Sequence, residues 1–190
     1  LAQRFPKAQM HALEIDSLAC QEAQFNFEAS PWSDRLKLFP TDLMAWEPSC
    51  QYELIVSNPP YFKDSLTSPQ GHRTTARHQK HLNLESLFRL AFDWSTETGQ
   101  LNLILPFDQS KQVQDLAKQI GWQVHHQLKV FTFPEAQLPK RILWSLGKTA
   151  ETSGESHLYL HESGQEKNTN RQPRYSQAFM ELTRDFYLQH

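Results

Sequence analysis

The 190-residue sequence predicts an α/β fold, a mostly parallel sheet that ends in an antiparallel hairpin. Three observations predict it. Short apolar runs that stop at polar residues or prolines, Met10 to Ile15, Leu36 to Phe39, Tyr52 to Ser57 and Leu101 to Leu105, alternate with helix-like stretches. The runs Val124 to Phe133 and Arg141 to Leu146 are joined by Pro134 to Lys140, too short for a crossover helix, so they pair antiparallel. With 38% apolar and 21% charged residues, the composition is that of an ordinary soluble globular chain, long enough for a sizeable core in one domain, 1–190.

Each element follows from its residues. Leu1-Ala2-Gln3-Arg4-Phe5, without an initiator Met, reads as the last turn of a helix whose start is absent, as in a fragment, and Pro6 closes it. Met10 to Ile15 is a buried strand ending at Glu14-Ile15-Asp16. Ser17 to about Ala29, rich in Ala, Gln, Glu and Leu, is a helix with Asp16 or Ser17 as cap. Leu36 to Phe39 is a strand closed by Pro40-Thr41-Asp42, and Tyr52 to Ser57 is the next, running into Asn58-Pro59-Pro60-Tyr61-Phe62. The polar stretch Lys63 to His81 reads as a long functional loop, because connections of this length are uncommon in compact domains unless they serve a site. Leu84, Leu87, Phe88, Ala91 and Phe92 recur at amphipathic helical spacing, with Gly99 as the expected stop. Leu101 to Leu105 is a strand ended by Pro106. Asp108 is the expected cap of a helix whose apolar face is Val113, Leu116, Ala117 and Ile120 and which Gly121 stops. After the hairpin, 149–174 is a polar insertion enclosing His157 to Leu160 as an edge strand. Residues 175–190 form a terminal helix on Tyr175, Phe179, Leu182 and Phe186.

Bulk properties narrow the function. A net charge of -2 gives no overall basic signature, so contact with nucleic acid must come from a local patch. Cys20 and Cys50 are too few for a disulfide framework and lack metal-site spacing, which points to a reducing cytoplasm and no metal. No apolar run reaches the roughly 18 residues that span a bilayer, and no basic-then-apolar leader opens the chain. His125, His126 and the other histidines have no ligand spacing, and no Ser-His-Asp order is recognisable.

The chemistry-bearing residues stand at strand ends, where open α/β sheets bind ligands. A carboxylate there is placed to accept both ribose hydroxyls of an adenosine cofactor. Glu14 is the first choice, the alternative being a surface carboxylate, and Asp16 doubles as a helix cap. Asp42 is placed to accept from an adenine amino group, or is an ordinary turn residue. Asn58-Pro59-Pro60-Tyr61 is more specific, although Pro-Pro also ends strands blandly. Both prolines fix φ, so the Asn58 amide and the Pro59 carbonyl are held still beside the face of Tyr61. The exocyclic nitrogen of adenine is a poor nucleophile because its lone pair is delocalised. Two rigid acceptors can hold its hydrogens and aim it at an electrophilic methyl group, with Tyr61 stacked on a base turned out of its strand. Arg73, Arg77, His78, Lys80 and His81 follow as a cationic loop, either merely solvated or holding phosphates.

Asn58-Pro59-Pro60-Tyr61 resembles the catalytic motif of class I S-adenosylmethionine-dependent amino-methyltransferases, Rossmann-like enzymes whose sheet ends in the same hairpin. Leu13-Glu14-Ile15-Asp16 is similar to their ribose-binding strand and Thr41-Asp42-Leu43 to their adenine-binding turn. With Ala76-Arg77-His78, Leu101 to Pro106 and Asp185-Phe186-Tyr187-Leu188, the pattern resembles, over nearly the whole chain, the bacterial tRNA adenine-N6 methyltransferases that act beside the anticodon of valine tRNA. The resemblance implies S-adenosylmethionine as cofactor, held by Glu14, Asp16, Asp42, Leu43 and Asn58. It also implies catalysis at Asn58, Pro59, Pro60 and Tyr61, with tRNA as partner along Arg73 to His81. One departure stands out. None of Gly71, Gly99, Gly121, Gly147, Gly154 and Gly164 makes the glycine-rich cofactor loop, which would lie, with the first strand, before Leu1. The chain as given is therefore expected to bind cofactor weakly or not at all and to be inactive, while its parent is an enzyme. Two alternatives are a protein glutamine N5-methyltransferase, disfavoured because Arg73, Arg77 and Lys80 suit a polyanion, and a non-catalytic RNA-binding remnant.

Overall fold

The computed structural model describes residues 1–59, 83–163 and 174–186. These divide into two units, one formed by 1–49 and the other by the described residues from Cys50 onward.

In the first unit β1 (Met10–Glu14) is followed by α1 (Ser17–Ala29) and then by β2 (Leu36–Pro40). The strands pair in parallel with Met10 opposite Leu36 and Glu14 opposite Pro40, so both finish at the same end. Asp16, not Ser17, is the cap of α1: its carboxylate accepts from the amides of Leu18 at 3.0 Å and Ala19 at 2.9 Å. The amino-terminal turn, closed by Arg4 and Phe5 amides on the Leu1 carbonyl, is tied down by a single side chain. The Arg35 guanidinium donates to the carbonyls of Ala2, Phe5 and Ala8 at 3.1, 3.0 and 2.9 Å, a fork geometry that suits a planar group with five donors. Phe39 packs against Trp46 at 4.1 Å and edge-on to His11 at 5.0 Å.

The second unit is a five-stranded sheet in the order β3 (Tyr52–Ser57), β4 (Ser95–Pro106), β6 (Arg141–Gly147), β5 (Gln123–Phe131) and β7 (Gly154–Tyr159). β3–β4 and β5–β7 are parallel, while β6 runs antiparallel between β4 and β5, forming the expected hairpin. β7 supplies the expected extra edge strand. The described strands thus make two sheets, of two and five strands, rather than one; β1 and β3 each keep an edge with no described partner.

The core lies on one face of the five-stranded sheet. Leu101, Leu103 and Leu105 of β4 stand opposite Leu146, Trp144 and Ile142 of β6, and all are buried. Helix α2 (Leu84–Trp94) adds Leu84, Leu87, Phe88 and Ala91, and α3 (Ser110–Ile120) adds Val113, Leu116 and Ala117. These are the apolar positions predicted by their spacing. Gly121, at φ 110°, ends α3 in the left-handed conformation that glycine adopts without strain. Among the described residues no helix is long and apolar enough to cross a membrane.

Three expectations are corrected here. Asp108 does not cap α3; it lies in a short 3₁₀ turn, Phe107–Gln109, and the Ser110 hydroxyl bonds back to the Phe107 carbonyl at 2.5 Å. The terminal helix α4 covers only Gln177–Thr183, with a turn at 184–186. Gly99 does not stop α2, which ends at Ser95, whose hydroxyl bonds to the Ala91 carbonyl at 2.5 Å. Gly99 instead sits inside β4 where the β3–β4 register shifts, and a Cβ there would meet the Tyr52 carbonyl oxygen at 2.7 Å. That neighbour is backbone rather than the end of a flexible side chain, so Gly99→Ala is expected to cost about 1–3 kcal/mol, as overpacking does. Urea unfolding checks this, and an unmoved midpoint contradicts it.

Candidate active site

In the first unit the parallel register brings two acidic residues to one end of the sheet. Glu14 closes β1, and Asp42 stands just beyond Pro40, which closes β2. The Glu14 carboxylate folds back over its own chain, and its Oε1 accepts from the amides of Ile15 and Asp16, both at 2.8 Å. This anchors the side chain through one oxygen, while Oε2 makes no hydrogen bond to a described residue. Asp42 is arranged similarly: its Oδ1 accepts from the Met44 amide at 2.9 Å and caps a 3₁₀ turn, Leu43–Ala45. Each acid is therefore anchored through one oxygen, and the other makes no hydrogen bond to a described residue. Asp16 likewise spends Oδ1 on two amides, those of Leu18 and Ala19 at the start of α1, and so caps that helix.

The surroundings suit a nucleoside. Ile15 and Met44, beside the two acids, are 47% and 44% exposed, large apolar side chains left uncovered that could give a flat ring apolar contact. Sequence reasoning did not single out Met44; the available signal was an apolar residue placed shortly after an acid at a strand end. Below Glu14, the Cys20 thiol donates to the Glu14 carbonyl at 3.4 Å. Burial first, then the charges of Glu14 and Asp16, push its pKa up, so it stays a thiol.

In the second unit β3 delivers Asn58 and Pro59 at its carboxyl end. Pro59 is buried and Asn58 exposed, and the Asn58 carboxamide makes no hydrogen bond to a described residue. The proline anchors the turn while the amide faces outward. The described ends of β3, β4, β5 and β7 all point to this one edge of the sheet. Pro60 and Tyr61, with Arg73, Arg77, His78, Lys80 and His81, lie outside the described residues. Among the described residues no group of three or more His, Cys, Asp or Glu side chains is arranged to hold a metal ion.

Solved structures share this architecture. A predicted O-methyltransferase from Agrobacterium tumefaciens superposes with a TM-score of 0.67 at 15% identity, covering 96% of this chain and 80% of its own. A methyltransferase from Pyrococcus furiosus gives 0.55 at 18% identity, covering 78% and 67%. Residues 1–85 match the methyltransferase small domain family. The fold is that of the class I, Rossmann-like S-adenosylmethionine-dependent methyltransferases. Sequence relatives narrow this further. The tRNA1(Val) (adenine(37)-N6)-methyltransferase of Vibrio campbellii is 38% identical over 188 residues, 98% of this chain and 74% of the relative. The protein of the same name from Parabacteroides distasonis is 37% identical over 191 residues, 99% and 76%. This chain belongs to the tRNA1(Val) (adenine(37)-N6)-methyltransferase family.

Proposed function

We propose that the protein transfers a methyl group from S-adenosylmethionine to N6 of the adenosine beside the anticodon of valine tRNA, and that it does so in the cytoplasm. The observation that carries this reading is family membership over 98% of the chain, joined to an exposed Asn58 held at a strand end by a buried Pro59. Glu14 and Asp42 suit the adenosine half of the cofactor: one carboxylate oxygen of each is locked by backbone amides, which leaves the other for a ribose hydroxyl or the adenine amino group. The cofactor, when bound, supplies a methyl group activated by its positive sulfur.

The remaining work falls to the strand end after β3. The Asn58 oxygen and the Pro59 carbonyl accept the two hydrogens on N6, so the nitrogen lone pair points at the methyl carbon. With its hydrogens so held, N6 would accept the methyl group that the bound cofactor would supply, the sulfur leaving with its electron pair, and the extra proton on N6 would pass to water. Orientation and hydrogen-bond alignment therefore supply most of the rate, and no strong base is required. Tyr61 stacks on the target base in this reading, and Arg73, Arg77, His78, Lys80 and His81 hold phosphates.

Mass spectrometry of tRNA nucleosides from cells with and without the gene tests the assignment. Loss of N6-methyladenosine from valine tRNA is the expected result. Unchanged tRNA with loss of methylglutamine from a release factor would instead assign protein methylation. On the cofactor side, Glu14→Gln keeps a backbone-facing oxygen but removes the charge. Hydrogen bonds to charged groups are worth about 1.5–3 kcal/mol, so S-adenosylmethionine should bind the full-length variant about 10- to 100-fold more weakly by calorimetry. Equal affinity would remove Glu14 from the site.

A further inference from the structure

Four aromatic rings follow one another beyond the ends of β5 and β7. Phe133 lies 5.3 Å from His161, His161 is stacked on Tyr175 at 5.2 Å and 15°, and Tyr175 lies 4.9 Å from Phe179. Backbone bonds hold the group in place: His161 and Tyr175 form an antiparallel bridge, the Glu162 amide donates to the Arg174 carbonyl, and the Ser176 amide donates to the Leu160 carbonyl. Nearly parallel rings at such a distance are offset, leaving part of each face open. Tyr175 accordingly keeps 52% of its surface exposed. A buried cluster would hide that ring.

The position of the stack gives it a use. It lies on the same sheet edge as Asn58, because β3, β4, β5 and β7 all run toward that edge. Crossing from β3 to β7 takes four strand spacings of about 4.8 Å, roughly 19 Å. The stack is thus too far to hold the target base and well placed for another nucleotide of the same strand. Between them, at the start of β6, stands Lys140, exposed and without an ion-pair partner among the described residues; its backbone links Phe107 to Val130. Arg174, next to Tyr175, is likewise exposed and unpaired among them. Of the nearby acids, Glu135 takes a hydrogen bond from Ser163, and Glu162 is exposed. Two cations without an ion-pair partner among the described residues, on the same sheet edge as a half-exposed tyrosine ring, match the chemistry of single-stranded RNA, phosphate on the cation and base on the ring.

We propose that Tyr175, backed by His161 and Phe133, is a stacking platform for an unpaired base of the substrate RNA, and that Lys140 and Arg174 hold the phosphates leading to it. This rests on the tRNA-methylating reading above. It is tested by titrating an anticodon stem-loop of valine tRNA against the protein over a range of salt. Tyr175→Leu keeps the apolar packing on His161 but removes the π face, and should weaken binding about tenfold, in keeping with the value of base stacking, without changing the salt dependence. Tyr175→Phe should bind as the unaltered protein does. Lys140→Gln should weaken all RNA sequences evenly and lower the salt slope by about one. Unchanged affinity in Tyr175→Leu, or a loss in Tyr175→Phe equal to that in Tyr175→Leu, overturns the platform. If that happens while the full-length protein still methylates valine tRNA, the proposed activity stands and only the platform falls. An unaltered protein that neither binds nor methylates this RNA defeats both.

Discussion

Asn58→Ala is expected to slow methyl transfer about 10²- to 10³-fold in the full-length protein while leaving S-adenosylmethionine affinity essentially intact. The magnitude is that of removing one preorganised hydrogen-bonding group from a reacting centre. The direction follows from the site. Asn58 is exposed at the end of β3, bonded to no described residue, and preceded by a strand whose register with β4 is continuous from Leu54 to Ser57. Its removal leaves no hole in the core and breaks no backbone bond, so the loss should lie in turnover rather than in folding. In the proposed alignment the amide oxygen matters because it holds the nitrogen lone pair in line, an interaction that counts chiefly in the transition state; kcat and kcat/KM should therefore fall together. Asn58→Asp retains an acceptor and should keep more activity than the alanine variant. Single-turnover rates and calorimetry on both variants check the argument. Near-normal turnover in Asn58→Ala would sink the catalytic assignment.

Trp122→Ala is expected to have the largest effect on stability, about 3–5 kcal/mol, the range for deleting a buried indole. Trp122 is 2% exposed. Its indole N–H donates to the Phe88 carbonyl at 3.1 Å, and its ring meets Phe92 edge-on at 5.2 Å, so the side chain joins the end of α3 to the middle of α2. Its amide also bonds to the Ala117 carbonyl at 2.8 Å, closing the left-handed turn begun by Gly121. Truncation opens a cavity and takes one of its hydrogen bonds from the Phe88 carbonyl. Trp122→Phe, which keeps one aromatic ring but loses the hydrogen bond and part of the indole's volume, should cost less. Denaturant melts of the two variants check the order. A small effect in Trp122→Ala would mean that α2 and α3 collapse onto one another without it.

Much of this protein was legible along the chain. Short apolar runs located each described strand, and helical spacing the α2 and α3 faces, because those patterns report burial directly. The length of Pro134 to Lys140 alone required a hairpin. The acids at Glu14 and Asp42 and the Asn58-Pro59 turn were readable because strand ends are marked by abrupt changes in polarity. What failed were readings in which one residue type serves two purposes. Gly99 looked like a helix stop, yet its missing Cβ answers a close approach of the Tyr52 carbonyl, a contact between residues 47 apart in the chain. Asp108 had a cap's composition without a cap's geometry.

The sequence by itself determined the fold class, the element order, the strand-end acids and the resemblance that the relatives bear out. Only the tertiary structure decided that Arg35 gathers three carbonyls of the amino-terminal segment, and that Phe133, His161, Tyr175 and Phe179 make one ladder. The physical reason is range. Burial and backbone preference act between near neighbours and leave a period in the sequence, whereas hydrogen-bond geometry and ring stacking join residues that only the folded chain brings together.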